Sequence, residues 1–324
     1  MKVWTVLLVV LSAAGWPLCA HGQGYPSRPI TVVVPFPAGG PTDTIARIMA
    51  ERMRASLGQS VLVENTTGAN GTIGVGRVAR AAPDGYTLSI GHWSTHVING
   101  ASYALPYDVF TDFAPISLIA TNPQLIVSKN AVPAGNLAEL IAWLKANPDK
   151  ALAGTAGVGS ASHVGGVFFQ SKTGTRFGFV PYRGAAPLMQ DLLAGQIDFA
   201  FDQAASSLPQ VRAGRIRVYA VTASERLKSA PEIPSVDEAG LPEFYIAIWH
   251  ALWAPRGTAQ DVIGKLNAAV VEALADANVR ARLADLGQDI PAREQQTPQA
   301  LAAFHKVEIE KWWPIIKAAN IKVE

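Results

Sequence analysis

The sequence predicts an α/β fold in two lobes, each a mainly parallel sheet flanked by helices. Three observations predict it. Strand and helix signals alternate from residue 30 to 92, the alternation restarts near residue 118, and from Thr258 the chain turns mostly helical. A strand–helix–strand series implies parallel strands joined by right-handed crossovers. Two α/β lobes of this size fit the chain better than one very large sheet, and no fixed-period repeat suggests a solenoid.

Arg28 and Pro29 lead into ITVVVPF, a β-branched run suited to a strand buried on both faces. PAGGPTDTIARIMAERMRASLG follows as a helix. Thr42 is its expected cap, Ile45, Met49, Met53 and Leu57 repeat along one face, and Gly58 stops it. SVLVEN is a second strand, TIGVGRVARAAPDG a short helix ended by Pro83, and YTLSIGH a third strand. Leu118 to Ser128 holds two apolar runs around Thr121, Asn122 and Pro123. NLAELIAWLKANPDK is a helix, ALAGTAGVG a strand running into a glycine loop, and SASHVGGVFFQSKTG a helix. FVPY, AAPLMQDLLAG, IDFAF, SSLPQVRAG and RIRVYAVT continue the pattern. TAQDVIGKLNAAVVEALADANVRARLADLG opens on a T-x-x-D capping arrangement and carries a stripe of Val262, Leu266, Val270 and Leu274. A last helix carries Leu301, Phe304, Ile309, Trp312 and Ile316, and this helical tail is expected to pack on the first lobe. The expected division is residues 25–125 for the first part of lobe 1 and 126–225 for lobe 2. Residues 226–324 then return to lobe 1.

Composition excludes several classes. With 49% hydrophobic residues and 16% charged, the chain is not disordered. A net charge of +2 over 324 residues provides no basic stripe, so nucleic acid is not an expected partner. Lys2, an uncharged run from Val3 to Leu18 and small residues at Ala20 and Gly22 make residues 1–22 a secretory signal peptide. A membrane anchor needs about 20 apolar residues, and Pro17 breaks the run early. Cys19 raises a lipid anchor, but Trp16, Pro17 and Leu18 match that site poorly. Cleavage after Ala20 or Gly22 leaves no cysteine, and losing Lys2 lowers the net charge from +2 to +1. The expected product is a soluble, nearly neutral extracytoplasmic protein.

Two glycine loops join a strand's end to a helix's start: Pro35 to Asp43, and Gly154 to His163. Free N–H groups and the helix dipole favour anions at such junctions, and glycine lets consecutive N–H groups turn to one point. Other chemistries fit less well. Gly157-Val158-Gly159 lacks the third glycine and the later acid of a dinucleotide fingerprint, and no phosphate-binding G-x-x-x-x-G-K-[ST] occurs. There is no G-x-S-x-G, and Ser160 with His163 reads more simply as a helix cap and a loop histidine. His92 and His96 have metal-like spacing but no obvious third ligand. Tyr182 and Arg183 follow one strand and Asp202 with Gln203 ends another, so they are candidate cleft walls. Trp249, His250 and Trp253 fit a core under the tail better than a lid.

PFPAGGPTDTIARIMAERM, VENTTGANGTIGVGRVARAAPDGYTL, the SASH loop, VPYRGAAPLMQDLLAGQIDFAF, PEIPSVDEAGLP and WHALWAPRGT occur in that order. Together they resemble the Bug (TctC-like) family, periplasmic solute receptors of tripartite tricarboxylate transporters. The resemblance covers Tyr25 to Glu324. It implies a two-lobed, type II periplasmic-binding-protein fold that closes on its ligand and delivers it to membrane transporter subunits. The implied ligand is a small organic acid (di-, tri- or aromatic carboxylate), held chiefly by main-chain amides and ordered water. It implies no catalysis, cofactor or metal, and a monomer is expected. Carried over by position, the first loop offers Phe36, Ala38, Gly39, Gly40 and Asp43. The second offers Thr155, Gly157, Gly159, Ser160 and His163. Ala38 stands where many relatives have proline, which should loosen that loop. HWSTHVING, with His92, Ser94 and Thr95, lies where relatives vary and is expected to set the ligand. Two alternatives stay open: a solute-sensing subunit that docks on a signalling receptor, and an exported hydrolase or isomerase using His163 or His92 as base.

Overall fold

The β-branched run at residues 30–34 forms β1 (Ile30–Val34), which pairs in parallel with β2 (Val61–Asn65) and β3 (Thr87–His92). The computed structural model describes residues 24–318 and 320–322, so the export signal expected at 1–22 lies outside the described residues. Alternate β1 side chains feed two cores. Ile30, Val32 and Val34 meet α1 (Pro41–Leu57) and α8 (Gln260–Ala275), while Val33 joins the cluster of Val75 and Val78 in α2 (Thr72–Ala79). Gly58 ends α1 in the left-handed region at φ 65°, as expected. The start differs, because Gly40 is the cap and Pro41 opens the helix with a preset φ. Thr42 lies inside instead, with Oγ1 3.2 Å from His250 Nε2.

β3 runs into a buried π-helical turn, Ser94–Ile98, and a single turn of helix, α3 (Asn99–Ser102). β4 (Phe113–Lys129) then crosses the molecule as one long strand. Its first part pairs antiparallel with β9 (Ala247–Pro255), and its last residues pair antiparallel with β7 (Phe199–Gln203) and β8 (Ile216–Val221). The apolar runs around Pro123 are therefore one strand. Pro123 is tolerated because its partner Ala247 is the first residue of β9, where a ladder donor is least needed. In the second half β5 (Leu152–Thr155) pairs in parallel with β6 (Gly178–Pro181) and β7. The helices there are α4 (Leu137–Ala146), α5 (Ala161–Thr173), α6 (Ala185–Leu193) and α7 (Ala204–Arg212).

The strand order is β2-β1-β3-β9-β4-β7-β5-β6, with β8 also on β4. Each outer wing is parallel, as strand–helix–strand alternation requires. The crossing strands are antiparallel because a chain that enters the second half and returns must reverse direction. The sheet is thus mixed in both halves.

The tail departs from a single long helix. Asp276 breaks it, and its carboxylate accepts from the Asn278 and Val279 N–H groups to start α9 (Ala277–Asp285). Thr258 does not cap α8; its hydroxyl donates to the Pro255 carbonyl. The final helix, α10 (Pro298–Ala318), packs on the first half, with Trp312 4.6 Å from Trp93 and Trp313 Nε1 donating to Val97 O at 2.9 Å. Trp249, His250 and Trp253 are buried on β9, which is the core role expected of them. Among the described residues, no helix is long and apolar enough to cross a membrane.

Candidate functional site

Both glycine loops stand at carboxyl ends of parallel strands and face one another across the seam between the halves. That is where open α/β sheets hold ligands. The seam contains an inner chamber of about 30 Å³ that adjoins an outer one of about 270 Å³, with Phe36, Asn70 and Ala156 bordering both. Two contacts span it. Tyr103 donates its hydroxyl to Val158 O at 2.9 Å, and a Cβ placed on Gly184 would fall 2.7 Å from Pro37 Cδ. Larger grooves of about 400 and 650 Å³ lie elsewhere, beside Leu227 and Arg280 and beside Tyr25 and Lys265. Neither includes a strand-to-helix glycine loop.

The predicted residues divide into wall and frame. Phe36, His92, Ser94, Ser160 and Asp202 border the inner chamber. Phe36, Gly157, Tyr182 and Arg183 border the outer one. The other eight border neither. Ala38 and Gly39 are exposed on the rim and Gly40 is buried under it. Gly39 spends its N–H on Asp43 Oδ2 at 2.9 Å, and Asp43 also accepts from Arg47 and Asn65. Burial works to raise that carboxyl, but the Arg47, Gly39 and Asn65 hydrogen bonds prevail and hold it below the usual carboxylate range. The second loop repeats the device. Gly159 N–H donates to His163 Nδ1 at 3.1 Å, and burial keeps His163 neutral by lowering its pKa. Thr95 is turned away, accepting from His92 N–H and touching His96 Nδ1, and Thr155 Oγ1 is buried behind the wall.

The two helix starts are not equivalent as anion sites. α1 begins with Pro41, which has no N–H, so one of its first-turn donors is missing. α5 begins with Ala161. Ser160 caps it, accepting from His163 N–H at 3.3 Å, which leaves the Ala161 and Ser162 N–H groups of the first turn available. Ala161 and Ser162 both border the inner chamber. Ser162 Oγ steadies the loop by accepting from Ala156 N–H at 2.8 Å.

Opposite this turn, His92 stacks on Phe36 with ring centres 4.7 Å apart and planes 4° from parallel. Its Nδ1 accepts from Ser94 N–H at 2.9 Å, and burial drives its pKa down to about 3. The ring is therefore neutral with its proton on Nε2, a donor for the chamber. His96 is elsewhere, stacked on Trp253, so the HWSTH pair does not converge. Among the described residues no cluster of three metal-type ligands occurs. Asp202 is buried, its Oδ2 accepts from Ser206 and Ser207, and burial raises its carboxyl despite those bonds. Arg183 is exposed at the outer rim.

Sequence reasoning missed Asn70, Gln124, Ala161, Ser162 and Phe201 as walls, and it named Gln203 only beside Asp202. Asn70 carried a signal, since Asn-Gly after Gly68 marks a turn and its φ is 50°. Gln124 carried none, because a polar residue inside an apolar strand does not announce which face it takes.

A sheet with two wings, joined by a shared strand and enclosing a polar cleft between strand-to-helix loops, defines a solute-binding receptor. The chain belongs to the tripartite tricarboxylate transporter receptor family, TctC, whose pattern matches residues 45–321. A UPF0065 protein of Agrobacterium vitis is 40% identical over 315 residues, 97% of this chain and 91% of that one. The periplasmic binding protein BugD superposes with a TM-score of 0.88 at 40% identity, covering 92% of this chain and all of that one. MatC of Rhodopseudomonas palustris, solved with malate bound, gives 0.87 at 40% identity, covering 90% of this chain and all of that one.

Proposed function

We propose that this receptor captures a small organic carboxylate in the seam and hands it to the membrane subunits of a tripartite tricarboxylate-type transporter. The observation that carries the reading is the first turn of α5, whose free N–H groups open into a buried polar chamber bordered by both halves. Malate in MatC supports the ligand class. In this reading the carboxylate sits on Ser160 and the Ala161 and Ser162 amides, with His92 Nε2–H and Ser94 beside it. Gly157, Tyr182 and Arg183 form the outer wall and meet the rest of the ligand. Ala38, Gly39, Gly40, Asp43, Thr95, Thr155, Gly159 and His163 act as frame. In this reading lobe 2 spans residues 126–225, and the partner change on β4 between Pro123 and Gln124 supports its first bound. Residues 1–22 serve as a cleaved export signal, and the mature protein works as a monomer.

Each charge-assisted bond to a bound carboxylate contributes about 1.5–3 kcal/mol. After the loss of rigid-body freedom, a micromolar Kd, near −8 kcal/mol, is in range. Thermal unfolding in the presence of malate, succinate, citrate, adipate, terephthalate, nicotinate, aspartate and glutamate tests the reading. A true ligand at 100 times Kd adds about 2.7 kcal/mol. No stabilisation by any organic acid would refute it.

A further inference from the structure

A receptor for anions here holds a buried carboxyl group of its own in its ligand chamber. Asp202 is only 4% exposed and borders the same 30 Å³ as the first turn of α5. Ser206 and Ser207 both donate to its Oδ2, and no Lys, Arg or His pairs with it among the described residues. A bare carboxylate beside this group meets like charge at low dielectric, where repulsion is strong. A ligand that also brings a hydrogen-bond donor turns the same group into an attraction.

The chamber is therefore two-sided. The Ser160 turn and its amides supply donors along one wall, and Asp202 is an acceptor that needs one. Its volume admits roughly two or three water-sized groups. Any group that reaches Asp202 must then be attached within a bond or two of the anchored carboxylate, and the remainder of the molecule extends into the outer 270 Å³. We infer that the receptor selects carboxylates bearing a hydroxyl or ammonium on the adjacent carbon, with Asp202 accepting from that group. The inference rests on the anion reading and adds the ligand's second feature.

Calorimetric titration with matched acids tests it on two scaffolds: succinate, malate and aspartate, then 3-phenylpropionate, phenyllactate and phenylalanine. On the scaffold that fits, the hydroxy or amino acid should bind at least about tenfold tighter than the unsubstituted acid. Asp202→Ala should erase that ratio while leaving the unsubstituted acid bound, which also shows that the variant folds. Asp202→Asn separates the two donors, because an amide oxygen still accepts from a hydroxyl but cannot neutralise an ammonium. If wild-type protein binds the unsubstituted acid as tightly as its substituted partners, or Asp202→Ala keeps the ratio, the inference is overturned and the anion reading stands. If neither these acids nor the wider panel bind, both fall together.

Discussion

Asp43 and His163 occupy matching places one turn into their helices, and each reaches back four residues to hold a glycine N–H. Both were candidates for ligand contact, yet both have their acceptor committed to the loop itself. The amides left over are those of Ala161 and Ser162. Ala161 is the first residue of α5, where proline is well tolerated, and Ser160 before it has φ −70° and ψ 166°, which suits a residue preceding proline. Ala161→Pro should thus remove one donor with little damage, changing unfolding stability by less than about 1 kcal/mol. Carboxylate affinity should fall at least about tenfold; unchanged affinity by titration would move the anchor elsewhere. At this scale the sequence was informative where a strand ended in glycine and a helix began. It was silent for Gln124, whose amide reaches the seam only because β4 and β7 lie side by side and set it opposite Gln203. No local pattern encodes that adjacency.

The parallel wings were legible element by element, since their apolar runs are bounded by glycine, proline and capping residues. β9 was not. AIWHALWAP reads as aromatic core, and its strand character depends on pairing with β3 and β4 from distant parts of the chain. The helix break at Asp276 was likewise hidden, because the apolar spacing continues through it while the carboxylate caps α9. Gly184, the residue before α6, shows an element boundary doing a second job. Its φ is 122° and it leaves room for Pro37 of the opposite loop. Gly184→Ala should strain the turn by about 1 kcal/mol and hold the halves apart. The expected outcome is at least tenfold weaker ligand binding in titration, with a native far-UV circular dichroism spectrum; full affinity would show that this contact does not limit closure.

Among the described residues four histidines are buried, and burial lowers all of them: His92 to about 3, His305 to about 4, and His96 and His250 well below their ordinary value. The unfolded chain takes up these protons first, near pH 6.5. The native state therefore holds its full advantage above that pH and loses it as pH falls toward 4, at up to about 1.4 kcal/mol per pH unit for each ring. Asp202 and Glu308, raised by burial, act in the opposite sense in the carboxylate range. Urea unfolding should give clearly lower stability at pH 5.5 than at pH 7.5, and a flat profile would contradict this. β4 has a consequence for how such a molecule flexes. One ribbon is hydrogen-bonded into both wings, changing partners between Pro123 and Gln124, so relative rotation twists this shared strand rather than swinging on a slack tether. The jaws consequently have an elastic resting angle written into their own backbone, and neither could be excised without baring a raw β-edge to solvent.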